Sequence, residues 1–211
     1  MPYKSIVAIL RGESDTSHLL ECIAPVVRAF DAHLTAVHAE PSPAAYVSVV
    51  AGDMVTWDQA AIEASTRRME AVKGTFEKIC AREGFSHEWR GLESFSGDSA
   101  VASRTTSYSA DLVVAQQSNP DEVDDIFADL ETLLFESGRP ILFVPYIKCP
   151  PIAPKRVVIA WKPTKEAARA TFDAMPLLHR AEKVTVLVVD PRESDEHSAH
   201  MTAADICSTL S

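Results

Sequence analysis

The sequence has 211 residues, of which 46% are apolar, and its formal net charge at pH 7 is −10. This length and apolar content suit one large domain or two small ones with a buried core. The acidity argues against nucleic-acid phosphates and anionic membrane surfaces as partners, because both require clustered Lys and Arg. No apolar run approaches the ~18 residues that span a bilayer. Because no signal-peptide pattern is found either, we expect a cytoplasmic protein.

Apolar runs alternate with helical patterns over the first two thirds of the chain, and this order predicts an α/β fold. The predicted strands are 5–10, 34–39, 87–92, 112–115 and 140–144. The predicted helices are about 14–30, 54–82, a short one opened by Gly97 and Asp98, and 121–136, with a loop at 44–53. Strands that are joined by helices form an open, Rossmann-like parallel sheet with helices on both faces.

The opening pattern recurs near the end of the chain. Residues 155–162 align with 4–11 at an offset of 151, which also places Pro176 on Pro25. After the loss of one residue, 184–191 aligns with 34–41. This internal duplication predicts a first domain (1–145), a proline-rich linker (146–154) and a partial second domain (155–211). Two strands cannot close a stable parallel sheet, so we expect either a truncated chain or a remnant that completes its core against the first domain or a partner.

The absence of the glycine-rich and catalytic motifs of known enzyme classes predicts that the chain is not an enzyme. The seven glycines lie at least six residues apart, which excludes G-x-G-x-x-G and G-x-x-x-x-G-K-[ST]. The chain also lacks a G-x-S-x-G nucleophile elbow. Ser14, Asp15 and His18 have the residue types of a catalytic triad, but they fall within one helix turn and cannot adopt its geometry. We interpret them as helix-capping and surface residues.

No metal site or cofactor is predicted. The four cysteines form no C-x-x-C pair, and free thiols are the simplest interpretation. His197 and His200 have ligand spacing beside Asp195 and Glu196. Because no further ligand motif accompanies them, we interpret this segment as a solvated connecting loop.

The candidate site is the edge where the parallel strands end, since ligands of open α/β sheets bind outside the carboxyl ends of the strands. Helix N-termini at such an edge attract anions. The acidic run at 121–125 would repel a triphosphate there. The edge is therefore either a functional polar crevice or a purely structural strand end, and its candidate residues are Arg11, Gly12, His38, Gln116, Gln117 and Ser118.

Four segments in this order resemble the universal stress protein family, and in particular its tandem members. They are the first strand with its helix, Ser96-Gly97-Asp98-Ser99 (similar to the family's Gly-Asp-Pro turn), and the segments 110–114 and 139–145. The resemblance covers residues 3–145 and the first part of a second domain. It implies a five-stranded parallel sheet in the order 3-2-1-4-5. It also implies a homodimer through the last strand, Pro140–Val144.

Two departures from the family pattern concern nucleotide binding. The resemblance implies an aspartate after the first strand in members that bind ATP, and Arg11 stands there, with Lys162 in the second copy. It also implies a glycine motif after the fourth strand, where this chain has residues 116–122 without glycine. A guanidinium in place of a carboxylate inverts what the pocket can recognise. We therefore expect no ATP binding in the family's manner.

Two hypotheses for function follow. The first is a non-catalytic stress-response protein that acts by association, or by holding a small molecule in the crevice. Arg11 and the apolar segment 46–50 favour a ligand with an acidic and an apolar part. The alternative is an adenine-nucleotide-binding or weakly ATP-hydrolysing stress sensor, which would bind phosphate through the backbone N–H groups of 117–119.

Overall fold

Five parallel strands form the main sheet of a computed structural model that describes residues 2–42, 47–50, 54–119, 130–147, 150–189 and 204–210. The strands are β1 (Ser5–Ile9), β2 (His33–Pro41), β5 (His87–Ser94), β6 (Leu112–Gln116) and β7 (Ile141–Val144). Their order is β5-β2-β1-β6-β7, and every neighbouring pair is parallel. Counted along the sheet strands alone, this is the order 3-2-1-4-5. The predicted fold class is confirmed.

Within the described residues, this sheet is flanked by the helices α1 (Glu13–Phe30), α2 (Gln59–Glu83), α3 (Ser99–Ser107) and α4 (Leu130–Glu136). Successive side chains of β1 are buried, as expected for a strand that is covered on both faces. One face packs its valines and isoleucine against Ala100 of α3 and Leu133 of α4. Of the helix predicted at 121–136, only α4 lies within the described residues, because 120–129 lie outside them.

The segment between β2 and α2 differs from the prediction. A loop was expected at 44–53 and a helix from about Met54, but β3 (Val47–Val50) and β4 (Met54–Trp57) form an antiparallel pair. Valine and tryptophan favour strands, which accounts for the change. The helix begins only at Gln59, because the Asp58 side chain accepts a hydrogen bond from the Ala61 N–H (3.0 Å) and caps it.

The turn before α3 forms as predicted. Gly97 has a φ of 72°, in the left-handed region that favours glycine. Asp98 then caps the helix by accepting hydrogen bonds from the N–H groups of Ala100 (2.8 Å) and Val101 (3.0 Å). The turn is thus specified by two consecutive residues, which explains why it could be predicted locally.

The chain divides into two compact units, residues 2–152 and 153–211. The second unit contains β8 (Arg156–Ala160), α5 (Lys165–Asp173), α6 (Met175–Leu178), β9 (Lys183–Leu187) and a helix at 204–210, α7. β8 and β9 are parallel, and Val157 lies opposite Val184 as Ile6 lies opposite Leu34. These pairs are related by the offsets of 151 and 150 residues that the sequence alignment gives.

The two mid-helix prolines have different surroundings. Pro25 lies inside the continuous helix α1. Pro176 lies in the first turn of α6, after α5 has ended at Asp173. A proline is tolerated in the first turn, where its missing N–H leaves no hydrogen bond unmade.

In the described residues of both units, every helix is too short or too polar to cross a bilayer.

Candidate functional site

Arg11 and Asp15 form an ion pair at the carboxyl end of β1. Arg11 follows the strand and precedes the N-cap residue Gly12, and Asp15 lies four residues later in the first turn of α1. Nη2 of Arg11 lies 3.1 Å from Oδ2 of Asp15, and the Arg11 side chain is only 6% exposed. The same nitrogen donates a hydrogen bond to the backbone oxygen of Gln117 (3.4 Å). The guanidinium is therefore held between α1 and the end of β6.

Gln116 completes this cluster from β6. Its Nε2 donates a hydrogen bond to Oδ1 of Asp15 (3.2 Å), so Asp15 accepts from both Gln116 and Arg11. Gln116 is buried, and its Oε1 has no hydrogen-bond partner among the described residues. The structure thus brings together three of the predicted residues, Arg11, Gln116 and Gln117. Asp15 contacts Arg11 and Gln116, and Arg11 contacts the Gln117 backbone oxygen. The interpretation of Asp15 as a helix-capping and surface residue therefore overlooks this contact.

The remaining predicted positions at this edge lie in open surroundings. Gly12 is the N-cap residue of α1, and a Cβ placed there would have no atom within 4 Å. Its carbonyl oxygen accepts a hydrogen bond from the Thr16 hydroxyl (2.7 Å). Ser118 is exposed. Space for a ligand atom therefore exists beside the start of α1.

His38 belongs to a separate, buried cluster. Its Nδ1 lies 2.9 Å from the backbone oxygen of Leu10, and its Nε2 lies 3.2 Å from Oε1 of Glu40. The ring thus lies between one oxygen of Leu10 and one of Glu40. His38 therefore fastens β2 to the end of β1.

Glu40 connects the same cluster to α2. It accepts hydrogen bonds from the Ser65 hydroxyl (2.9 Å) and from Nη2 of Arg68 (2.7 Å). Burial alone would raise the pKa of Glu40, but the hydrogen bonds from His38, Arg68 and Ser65 outweigh burial and lower it. His38 is predicted from the sequence, but Glu40, Ser65 and Arg68 are not. A glutamate at the end of an apolar strand could have indicated them, because a buried charge needs partners.

The described residues contain no group of three or more His, Cys, Asp or Glu side chains that could hold a metal ion. The segment 195–200, with the two histidines considered above, lies outside the described residues. At the strand edge, the described side chains form an ion pair and an amide hydrogen bond.

No protein-family model matches the chain, and no curated protein matches it. Several solved structures are similar to it. One is the universal stress protein from Archaeoglobus fulgidus in complex with dAMP, with 14% identity over 68% of this chain and 98% of that chain, at a TM-score of 0.40. A universal stress protein in complex with cAMP has 17% identity over 68% and 98%, with a TM-score of 0.42. A universal stress protein family member from Burkholderia pseudomallei has 21% identity over 66% and 95%, with a TM-score of 0.41.

Proposed function

We propose that the chain is a non-catalytic protein of the universal stress type. It acts by association, and its strand-end crevice does not take ATP in that family's manner. One observation carries the proposal. The position that the resemblance assigns to a ligand-binding aspartate is occupied by Arg11, and the buried guanidinium is paired with Asp15 at 3.1 Å.

The donors and acceptors of this pair explain the expected loss of ATP binding. A carboxylate accepts hydrogen bonds from hydroxyl and amino groups of a nucleoside, whereas a guanidinium only donates. Arg11 already donates to Asp15 and to the Gln117 backbone oxygen. The Asp15 carboxylate also offsets the positive charge of Arg11, so the pair offers an acidic ligand little net electrostatic attraction. The donors and charges at this edge therefore disfavour capture of ATP or of another acidic molecule.

Association is supported at the other end of the sheet. Among the described strands, β7 is the last in the order, so its outer edge is open to pairing with a second copy. The neighbouring helix α4 exposes Leu134 and Phe135, the latter by 76%. An open strand edge and exposed apolar side chains on the helix that precedes it in the chain are typical of an interface. We therefore propose a homodimer through Pro140–Val144.

Isothermal titration calorimetry with Mg-ATP tests the nucleotide part of the proposal. We expect a dissociation constant weaker than about 1 mM for the unmodified chain. Arg11→Asp restores the carboxylate, and a gain in affinity in this variant would identify Arg11 as the excluding residue. Arg67→Asp, an exposed arginine on α2, is the matched control. Micromolar binding of ATP by the unmodified chain would overturn the proposal and favour the adenine-nucleotide sensor.

Native mass spectrometry and light scattering test the association. We expect a dimer that Phe135→Ser weakens by about tenfold or more, since exposed aromatic residues often dominate interfaces. Phe95→Ser is the matched control, because Phe95 is equally exposed (80%) but follows β5 at the opposite edge of the sheet. A monomer at all accessible concentrations would contradict the association.

A further inference from the structure

A cavity of about 190 Å³ lies between the first turns of α2 and the ends of β2 and β5. It is lined by two carboxylates, two hydroxyl groups and apolar side chains, namely Glu40, Glu93, Ser65, Thr66, Ile62 and Met69. None of these residues belongs to the Arg11 cluster. The cavity is therefore a second candidate site, independent of the function proposed above.

Both hydroxyl groups of the lining already donate hydrogen bonds within the protein. Ser65 donates to Oε2 of Glu40 (2.9 Å), and Thr66 donates to the backbone oxygen of Ile62 (3.1 Å). Each hydroxyl oxygen therefore has only lone pairs to offer to a ligand. Ionised Glu40 and Glu93 also only accept. The polar side chains of the lining consequently present acceptors and no free donor.

The charges of the lining are unequal. Glu40 is buried and paired with Arg68 at 2.7 Å. Glu93 is exposed, and its carboxylate makes no ion pair with a described residue. Among the residues that the structure describes, the negative charge of Glu93 therefore has no paired cation. A ligand that carries one positive charge and only donors would satisfy both the charge and the lone pairs.

We propose that this cavity binds a small primary alkylammonium compound. An ammonium group has three donors and no acceptor, which suits a lining whose Glu93, Ser65 and Thr66 side chains offer acceptors only. The alkyl chain would pack on Ile62 and Met69. The volume equals that of roughly six waters, which limits the ligand to about that many non-hydrogen atoms. A metal ion fits less well, because Ca²⁺ takes six to eight oxygen ligands and part of this wall is apolar.

Titration with n-butylammonium tests the proposal, followed by calorimetry and by amide chemical shifts. We expect saturable binding, with the largest shifts at the amides of Ser65, Thr66 and Glu93. Glu93→Gln removes the charge and keeps the shape, and we expect it to weaken binding about tenfold. Glu70→Gln makes the same change at an exposed position of α2 outside the lining, and we expect it to leave affinity unchanged.

n-Butanol and pentanoate are the matched ligands, because they keep the butyl chain and replace the ammonium by a neutral and an anionic group. We expect neither to saturate the site. Equal binding of n-butanol, equal affinity of the Glu93→Gln variant, or the absence of n-butylammonium binding at any soluble concentration would overturn the proposal. ATP binding and dimerisation are separate readouts, so failure here is distinguishable from failure of the proposed function.

Discussion

Nε2 of His38 lies 3.2 Å from Oε1 of Glu40, and both side chains are buried at the carboxyl end of β2. Residues two apart in a strand lie on the same face of the sheet, which allows this contact. Through His38 the pair reaches the Leu10 carbonyl of the preceding strand segment, and through Glu40 it reaches Ser65 and Arg68 of α2. It therefore holds α2 in place over the strand ends, next to the cavity described above.

We predict that Glu40→Gln lowers the free energy of unfolding by about 2 kcal/mol at pH 7, because hydrogen bonds to a charged group contribute about that much. The pKa of Glu40 is lowered in the fold from an ordinary value of 4.5. Its ionised form thus contributes stability above pH 4.5, and this contribution is lost as the pH falls through the folded pKa. Urea unfolding of both proteins from pH 7 to pH 3 measures it.

The control for this prediction is Glu63→Gln, whose carboxylate pairs with Arg67 at 3.9 Å on the exposed face of α2. Exposed pairs contribute little to stability, so a change within about 0.5 kcal/mol is expected. A gap between wild type and Glu40→Gln that stays constant down to pH 3 would contradict the assigned role of the Glu40 carboxylate.

The sheet strands were predictable because apolar runs bounded by turns have few alternatives in an α/β chain. The α3 turn was predictable because Gly97 and Asp98 specify it locally. The β3 and β4 pair was missed, since four-residue runs are too short to distinguish a strand from the start of a helix. The roles of Asp15 and Glu40 were missed for another reason. Each has one partner nearby in the sequence, Arg11 for Asp15 and His38 for Glu40. Their other partners, Gln116 and Arg68, are distant in the sequence, and only the fold brings these together.

Two glycines with the same φ give a matched pair of variants. Gly97 and Gly84 both have a φ of 72°. A Cβ at Gly97 would lie 2.5 Å from Cδ of Pro41 and 2.9 Å from its backbone nitrogen, whereas at Gly84 no atom lies within 4 Å. We predict that Gly84→Ala costs about 1 kcal/mol for the left-handed conformation alone. Gly97→Ala should cost about 2 kcal/mol more, because a rigid ring must move.

Thermal and urea unfolding of the two glycine variants measure this difference. Equal destabilisation would show that Pro41 yields to the added methyl group, and the steric argument would then be wrong.

The thiol of Cys80 is predicted to be unreactive in the native protein. Burial, together with the neighbouring Glu77 carboxylate, raises its pKa to about 12, so the nucleophilic thiolate is scarce at pH 8. Cys207 is exposed. Alkylation with iodoacetamide, followed by peptide mass spectrometry, should therefore label Cys207 faster than Cys80 by about tenfold or more. In denaturant the two rates should converge, and similar rates in the native protein would contradict the prediction.

Positions that the internal alignment pairs have different burial in the two units. Val7 and Val158 are related by the offset of 151, yet Val7 is 2% exposed and Val158 is 62% exposed. In the first unit Val7 packs in a cluster with residues of α3 and α4. We predict that Val7→Ala costs about 2 kcal/mol, from lost methyl burial and the cavity left behind. Val158→Ala should cost about 0.5 kcal/mol or less, as expected for a surface position.

Urea unfolding of the full chain, combined with native-state hydrogen exchange of the β1 and β8 amides, assigns each loss to its own unit. Exchange resolves units that open separately, because each amide reports the free energy of the opening that exposes it. Val158→Ala could accelerate exchange of the β8 amides as strongly as Val7→Ala accelerates exchange of the β1 amides. That result would show that the face of β8 that carries Val158 is buried in solution. Native mass spectrometry of the same variants would then tell whether a second copy of the chain provides that cover. A loss confined to Val7→Ala would instead establish that the alignment equates positions in sequence and register but not in their packing.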